Sequence, residues 1–139
     1  MALPVDEALI KTATEALEAV LPNSGNHTVT ASVRTRAGAS FSGANVYSFT
    51  GGPCAELVAL GVAAAAGVLA EDITTVVAVK KDAATGEIRV LNPCGRCRQV
   101  LFDYNDKLDV IVVDGGKIRT ASIRKLLPFA YVTAKEGYD

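Results

Sequence analysis

Thr50-Gly51-Gly52-Pro53-Cys54-Ala55-Glu56-Leu57, answered later by Asn92-Pro93-Cys94-Gly95-Arg96-Cys97, are the segments whose reading decides the fold. Together they hold all three cysteines of the 139-residue chain. In each, a proline precedes the first cysteine and helical spacing follows, so each cluster is expected to open a helix. The unpaired N–H groups and partial positive charge at such an end favour thiolates. Three thiolates are one ligand short of a closed structural zinc site. They suit a catalytic site, which leaves its fourth position to water. Glu56, two residues past Cys54, offers a carboxylate placed to move protons without binding the metal.

Each part has a plainer reading. A Cys-x-x-Cys pair alone is common and suits redox chemistry, but that leaves Cys54 and Glu56 without a role. A closed structural zinc site needs a fourth donor, and His27 is the sole histidine; alone it reads as an ordinary strand-edge residue. A carboxylate such as Glu56 is most often simply solvated on a helix. Order and spacing taken together favour the open catalytic site. Arg96 and Arg98 bracket Cys97; turned inward they offset the excess negative charge of three thiolates, and turned outward they are solvated.

Outward from these clusters, apolar residues at Leu9, Ile10, Ala13, Ala16, Leu17, Val20 and Leu21 predict a helix over 6–21, stopped at Pro22-Asn23-Ser24-Gly25. Strands are predicted at 28–36 and 39–46 around an Ala37-Gly38 turn. The first cysteine helix is expected over 54–66. A buried β-branched strand follows at 74–79, then a turn over 81–87 and a strand at 88–91. The second cysteine helix is expected over 95–104, followed by strands at 110–113 and 117–120 and a last helix at 122–127. Helices and strands in this order make one α/β layer domain spanning 1–139.

Half of the residues are hydrophobic, enough for one substantial core. No apolar run approaches the roughly 20 residues of a membrane helix. The first residues lack a basic segment and an apolar run, so no secretory signal is expected. An odd cysteine count suits a reducing compartment, with the cytoplasm as the expected location. Net charge is −1 and the basic residues are scattered. A basic stripe for nucleic acid is therefore not expected, and a small-molecule substrate is.

Cys-x-Glu followed by Pro-Cys-x-x-Cys is the signature of zinc deaminases acting on nucleobases. The run Phe49 to Leu57, with Pro93 to Leu101, resembles the cytidine deaminase superfamily. The segments Gly43-Ala44-Asn45-Val46-Tyr47 and Leu126 to Val132 resemble its blasticidin-S deaminase branch most. This resemblance implies a three-layer α/β/α fold on a central mixed five-stranded sheet, with Zn²⁺ held by Cys54, Cys94 and Cys97. It implies Glu56 as proton carrier and a cytosine-containing substrate. Contacts to that substrate are implied for Asn45, the Ala55 N–H, the Asn92 carbonyl, Thr28, Tyr131 and Arg89, the last displaced by one position from the pattern. Short chains of this family form homotetramers, and the Ala-rich helix over 54–66 suits such packing. Ordinary cytidine deaminases carry Asn-x-Glu where this chain has Asn45-Val46-Tyr47, and a phenol does not replace a carboxylate that accepts from two ribose hydroxyls. The expected reaction is therefore deamination of the cytosine ring of blasticidin S, with cytidine or deoxycytidine salvage as the alternative.

Overall fold

The computed structural model describes residues 2–23 and 25–132, so Ser24 of the expected helix stop lies outside the described residues. Helix α1 (Glu7–Val20) starts at Asp6, whose side chain accepts from the Leu9 N–H at 3.0 Å. A 3-10 turn, Leu21–Asn23, ends it. Strands β1 (Val29–Thr35) and β2 (Ser40–Ala44) form a hairpin whose turn places Gly38 at φ 94°. Then come α2 (Ala55–Ala65), β3 (Ile73–Lys81), β4 (Ile88–Leu91) and α3 (Gly95–Tyr104). The described chain closes with β5 (Asp109–Asp114), β6 (Lys117–Ser122) and the single-turn α4 (Ile123–Leu126).

The sheet runs β2-β1-β3-β5-β6, which supplies the five strands expected. A sixth, β4, joins it on β3. The edge of β3 is divided: Thr75 and Val76 pair in parallel with β5, while Ala78 to Lys81 pair antiparallel with β4. All other pairings are antiparallel, so the sheet is mixed. Strand β3 outruns its expected 74–79 because exposed Lys80 and Lys81 pair with Arg89 and Ile88. Exposed lysines carry no apolar signal, and cross-strand pairing extends the strand instead.

Alternation along β3 builds the layers. Val77 and Val79 pack with Leu9, Ala13 and Leu17 of α1. Val76 and Ala78 face the opposite side, with Ala55, Ala59 and Ala63 of α2 and Leu101 of α3. A strand covered on both faces reads as a continuous apolar run, as β3 does. Small residues allow the second layer to approach closely. A Cβ on Gly43 of β2 would stand 2.7 Å from the Ala59 nitrogen and from Val58 Cγ1, so β2 lies almost against the α2 backbone.

Candidate active site

Each cysteine helix follows a strand, α3 closely after β4 and α2 after the loop that leaves β2. After β2, Val46 N–H donates to the Pro53 carbonyl at 3.1 Å, folding the loop back on itself. Gly52 is obligatory in that fold, because a Cβ there would stand 1.8 Å from the Val46 carbonyl oxygen. The loop delivers Cys54 to the N-cap of α2, just as β4 delivers Cys94 to the N-cap of α3. Both caps are extended, with φ −69° and ψ 158° at Cys54 and φ −69° and ψ 172° at Cys94. One turn on from Cys94, Cys97 points from inside α3 toward the same place.

The three Sγ atoms lie within 4.8 Å of one another, and all three thiols are free. Sulfurs on a tetrahedral zinc, each about 2.3 Å from the metal, lie about 3.8 Å apart. The donor set and its spacing therefore fit zinc. Among the described residues, no His, Asp or Glu joins this group as a fourth member. His27, the alternative fourth donor, pairs its Nδ1 with the Asn45 carbonyl at 2.7 Å.

Crowding of the thiols sets their protonation. Burial pushes Cys54 and Cys97 up, with the Glu56 charge adding to both shifts. Burial opposes ionisation of Cys94 as well. Donors around it (the Cys97 N–H, the Cys97 and Cys54 thiols and the Arg96 N–H) outweigh that and lower it. Without a cation, one thiolate is stabilised at the expense of its neighbours, and a divalent metal removes that conflict.

Glu56 is only 5% exposed. Burial raises its pKa, against the opposing pull of its own backbone N–H and the Cys97 thiol. Such a carboxyl is poised to take up and release a proton, unlike a solvated helix carboxylate. Ala55, fully buried, opens α2. As the first residue of α2, Ala55 has an N–H with no acceptor within the helix.

These groups line one cavity of about 390 Å³, together with Asn45, Val46, Tyr47, Leu91 and Asn92. Asn45 is at the cavity, but its side chain is already engaged: Oδ1 accepts from the N–H groups of Thr28 (2.7 Å) and Val29 (3.0 Å), and Nδ2 donates to Thr28 Oγ1 at 3.3 Å. The Asn92 amide is likewise paired with β5, donating to the Val113 carbonyl at 3.0 Å and accepting from its N–H at 2.8 Å.

Within one chain, Thr28, Arg89 and Tyr131 do not line the cavity. Thr28 is exposed and serves to hold Asn45. Arg89 shares its β4 face with cavity-lining Leu91, but its guanidinium turns to Asp82 and Glu87, each at 3.4 Å. Tyr131 is exposed, and its carbonyl accepts from Gln99 Nε2 at 3.1 Å. Sequence reasoning did not single out Leu91 or Val46 as lining residues. Alternation along β4 was the available signal for Leu91.

Residues 4–113 match the model of the cytidine and deoxycytidylate deaminase zinc-binding region. The chain belongs to that family. A blasticidin-S deaminase of Bacillus cereus is 34% identical over 131 residues, which is 91% of each chain. The crystal structure of cytidine deaminase from Burkholderia pseudomallei is 32% identical, with a TM-score of 0.73 over 92% of this chain and 100% of its own. Cytidine deaminase from Bacillus anthracis is 17% identical and has a TM-score of 0.77 over 96% and 94%; it shows the shared fold alone. The protein is thus a zinc-binding aminohydrolase whose chemistry is hydrolytic deamination of the cytidine deaminase type. Among the described residues, no helix is long and apolar enough to cross a membrane.

Proposed function

We propose that the enzyme removes the amino group from the cytosine ring of blasticidin S, releasing ammonia and a uracil-type product. The observation that carries this reading is the set of polar groups lining the cavity beside Asn45 and Tyr47. Tyr47, 67% exposed, lines the cavity at the position where the family pattern carries a ribose-binding carboxylate, and among the described residues Glu56 is the only carboxylate residue lining it. The Asn45 Oδ1 is committed to the Thr28 and Val29 N–H groups, and its Nδ2 donates one N–H to Thr28 Oγ1. A site whose Asn45 Oδ1 is already occupied and whose second ribose position holds the Tyr47 phenol in place of a carboxylate suits a cytosine compound with a different sugar. The blasticidin-S deaminase relative points the same way.

In this reading Cys54, Cys94 and Cys97 hold zinc. Zinc, when bound, supplies a Lewis acid that makes water nucleophilic near neutral pH. The chain does the rest. The Ala55 N–H donates to the ring carbonyl oxygen, and the Asn92 carbonyl accepts from the exocyclic amino group, so the ring is held with its amino-bearing carbon toward Glu56. Glu56 accepts the proton of the attacking water and passes it to the ring nitrogen. It then carries the second proton to the departing amino group. The new C–O bond replaces the broken C–N bond, and ammonia leaves. A buried carboxyl serving both transfers contributes on the order of 10²–10⁴-fold.

The assembly we infer is a homotetramer. Phe49 at 93% exposure and the outward residues Val62, Ala64 and Ala65 of α2, with Ala66 at its C-cap, support burial against neighbours. Arg89 and Tyr131 would then meet substrate only at a site that neighbouring subunits complete. Three reduced thiols suit the cytoplasm.

The test is loss of cytosine-type ultraviolet absorbance with blasticidin S and with cytidine, side by side. A much larger kcat/KM on blasticidin S supports the reading. Preference for cytidine replaces it with pyrimidine salvage, and Tyr47 is then no discriminator.

A further inference from the structure

Arg98 follows Cys97 in sequence and can balance thiolate charge there only if it turns inward, but its guanidinium is engaged elsewhere. Its Nε donates to the Pro93 carbonyl at 2.8 Å, and its Nη1 donates to the Leu126 carbonyl at 3.2 Å. Pro93 is buried and lies between Asn92 and Cys94. Leu126 is the last residue of α4. One half-buried guanidinium therefore ties the strand-to-helix corner carrying Cys94 to the C-terminal end of α4. The same corner is held from its other side by the Asn92 amide on Val113, at 2.8 and 3.0 Å. The next residue, Gln99, repeats the pattern by donating to the Tyr131 carbonyl at 3.1 Å.

We propose that Arg98 is a positioning residue: by clamping the Pro93 carbonyl against Leu126 it fixes Cys94 in the ligand geometry that retains zinc. This rests on Cys94 being a ligand, as proposed above. The argument is geometric. Cys94 is exposed and sits at a helix cap. Inside α3, by contrast, Cys97 is buried and held by the helix itself. Of the two thiols in the pair, Cys94 depends more on its incoming peptide, and Arg98 and Asn92 hold that peptide. A planar guanidinium bridges two fixed carbonyls in a way that a lysine ammonium does not. Arg96 provides the contrast. It lies as close to Cys97 in sequence, yet it is exposed and its side chain makes no hydrogen bond or ion pair among the described residues.

The test is the rate at which zinc passes to a chromogenic chelator from the loaded wild type and from Arg98→Met, Arg98→Lys and Arg96→Met. Thermal unfolding is followed alongside. Groups that orient metal ligands typically change metal affinity about 10–100-fold when removed. Arg98→Met and Arg98→Lys are expected to release zinc about 10-fold faster or more, with Arg96→Met at the wild-type rate. Wild-type release from Arg98→Lys would overturn the clamp, because charge alone would then suffice. Equal acceleration by Arg96→Met would overturn it as well. If Arg98→Met does not fold, the lysine variant decides the question. A wild type that takes up no zinc defeats the ligand assignment instead, and this is seen before any variant is compared.

Discussion

The two helices that carry the cysteines begin almost identically and sit in opposite surroundings. Cys54 and Cys94 share an extended cap with φ −69°, and each follows a proline. At the start of α2, Ala55 is fully buried and Glu56 nearly so. At the start of α3, Cys94, Gly95 and Arg96 are all exposed. The local motif thus sets the backbone, and packing assigns the task. The buried start shields a carboxyl whose pKa burial raises, while the open start leaves the Cys94 thiol exposed.

The sharpest way to break this contrast is Glu56→Gln. It removes the acidity of the proposed proton carrier while keeping its shape, and deamination should fall by about 10²–10⁴-fold. Zinc content, measured by atomic absorption, should stay at the wild-type level. Loss of metal together with activity would mean that Glu56 supports the cluster rather than the reaction.

Removing zinc by chelation tests the two helix starts against each other. Activity should vanish and return when zinc is restored. Amide hydrogen exchange should then rise more over 94–98 than over 55–59, because Ala55 and Ala59 remain in the core without metal. Equal loosening would show that the metal, rather than packing, also holds α2.

A third experiment presses on α2 from below. Gly43→Ala puts a Cβ 2.7 Å from the Ala59 nitrogen and 2.9 Å from the Val58 carbonyl carbon, backbone atoms that no side-chain rotation moves aside. Overpacking of this kind costs about 1–3 kcal/mol, read as a lower denaturant midpoint. Because Ala59 lies one turn beyond Ala55, kcat should fall as well. A stability loss with unchanged kcat would separate the buried helix start from catalysis.

What the sequence revealed follows the same division. The bounds of β4 (Ile88–Leu91) and α3 (Gly95–Tyr104) match the expected 88–91 and 95–104, because turns and caps punctuate them. The convergence of the cysteines was legible because their ligand chemistry constrains type and spacing together. The Tyr47 position was legible only against the family pattern. The outward rotation of Arg89 was not, since it depends on Asp82 and Glu87 across a hairpin turn. Nor was the direction of Arg98 legible: its acceptors, the Pro93 and Leu126 backbone carbonyls, carry no side-chain signal, and Leu126 is brought there by the fold.

The smallest expected effect comes from the open side. A Cβ on Gly95 meets nothing within 4 Å, and its φ lies outside the left-handed range. Gly95→Ala should change stability by no more than about 0.5 kcal/mol, as substitutions at exposed sites usually do, and should leave zinc content unaltered. Its informative readout is activity at several protein concentrations. Unchanged turnover would mean that the α3 entrance is as open in solution as it is in one chain. A loss of turnover in a folded, zinc-loaded variant would mean that another copy covers Gly95. The contrast between a buried and an open helix start would then belong to the single chain only, and the assembled enzyme would close both.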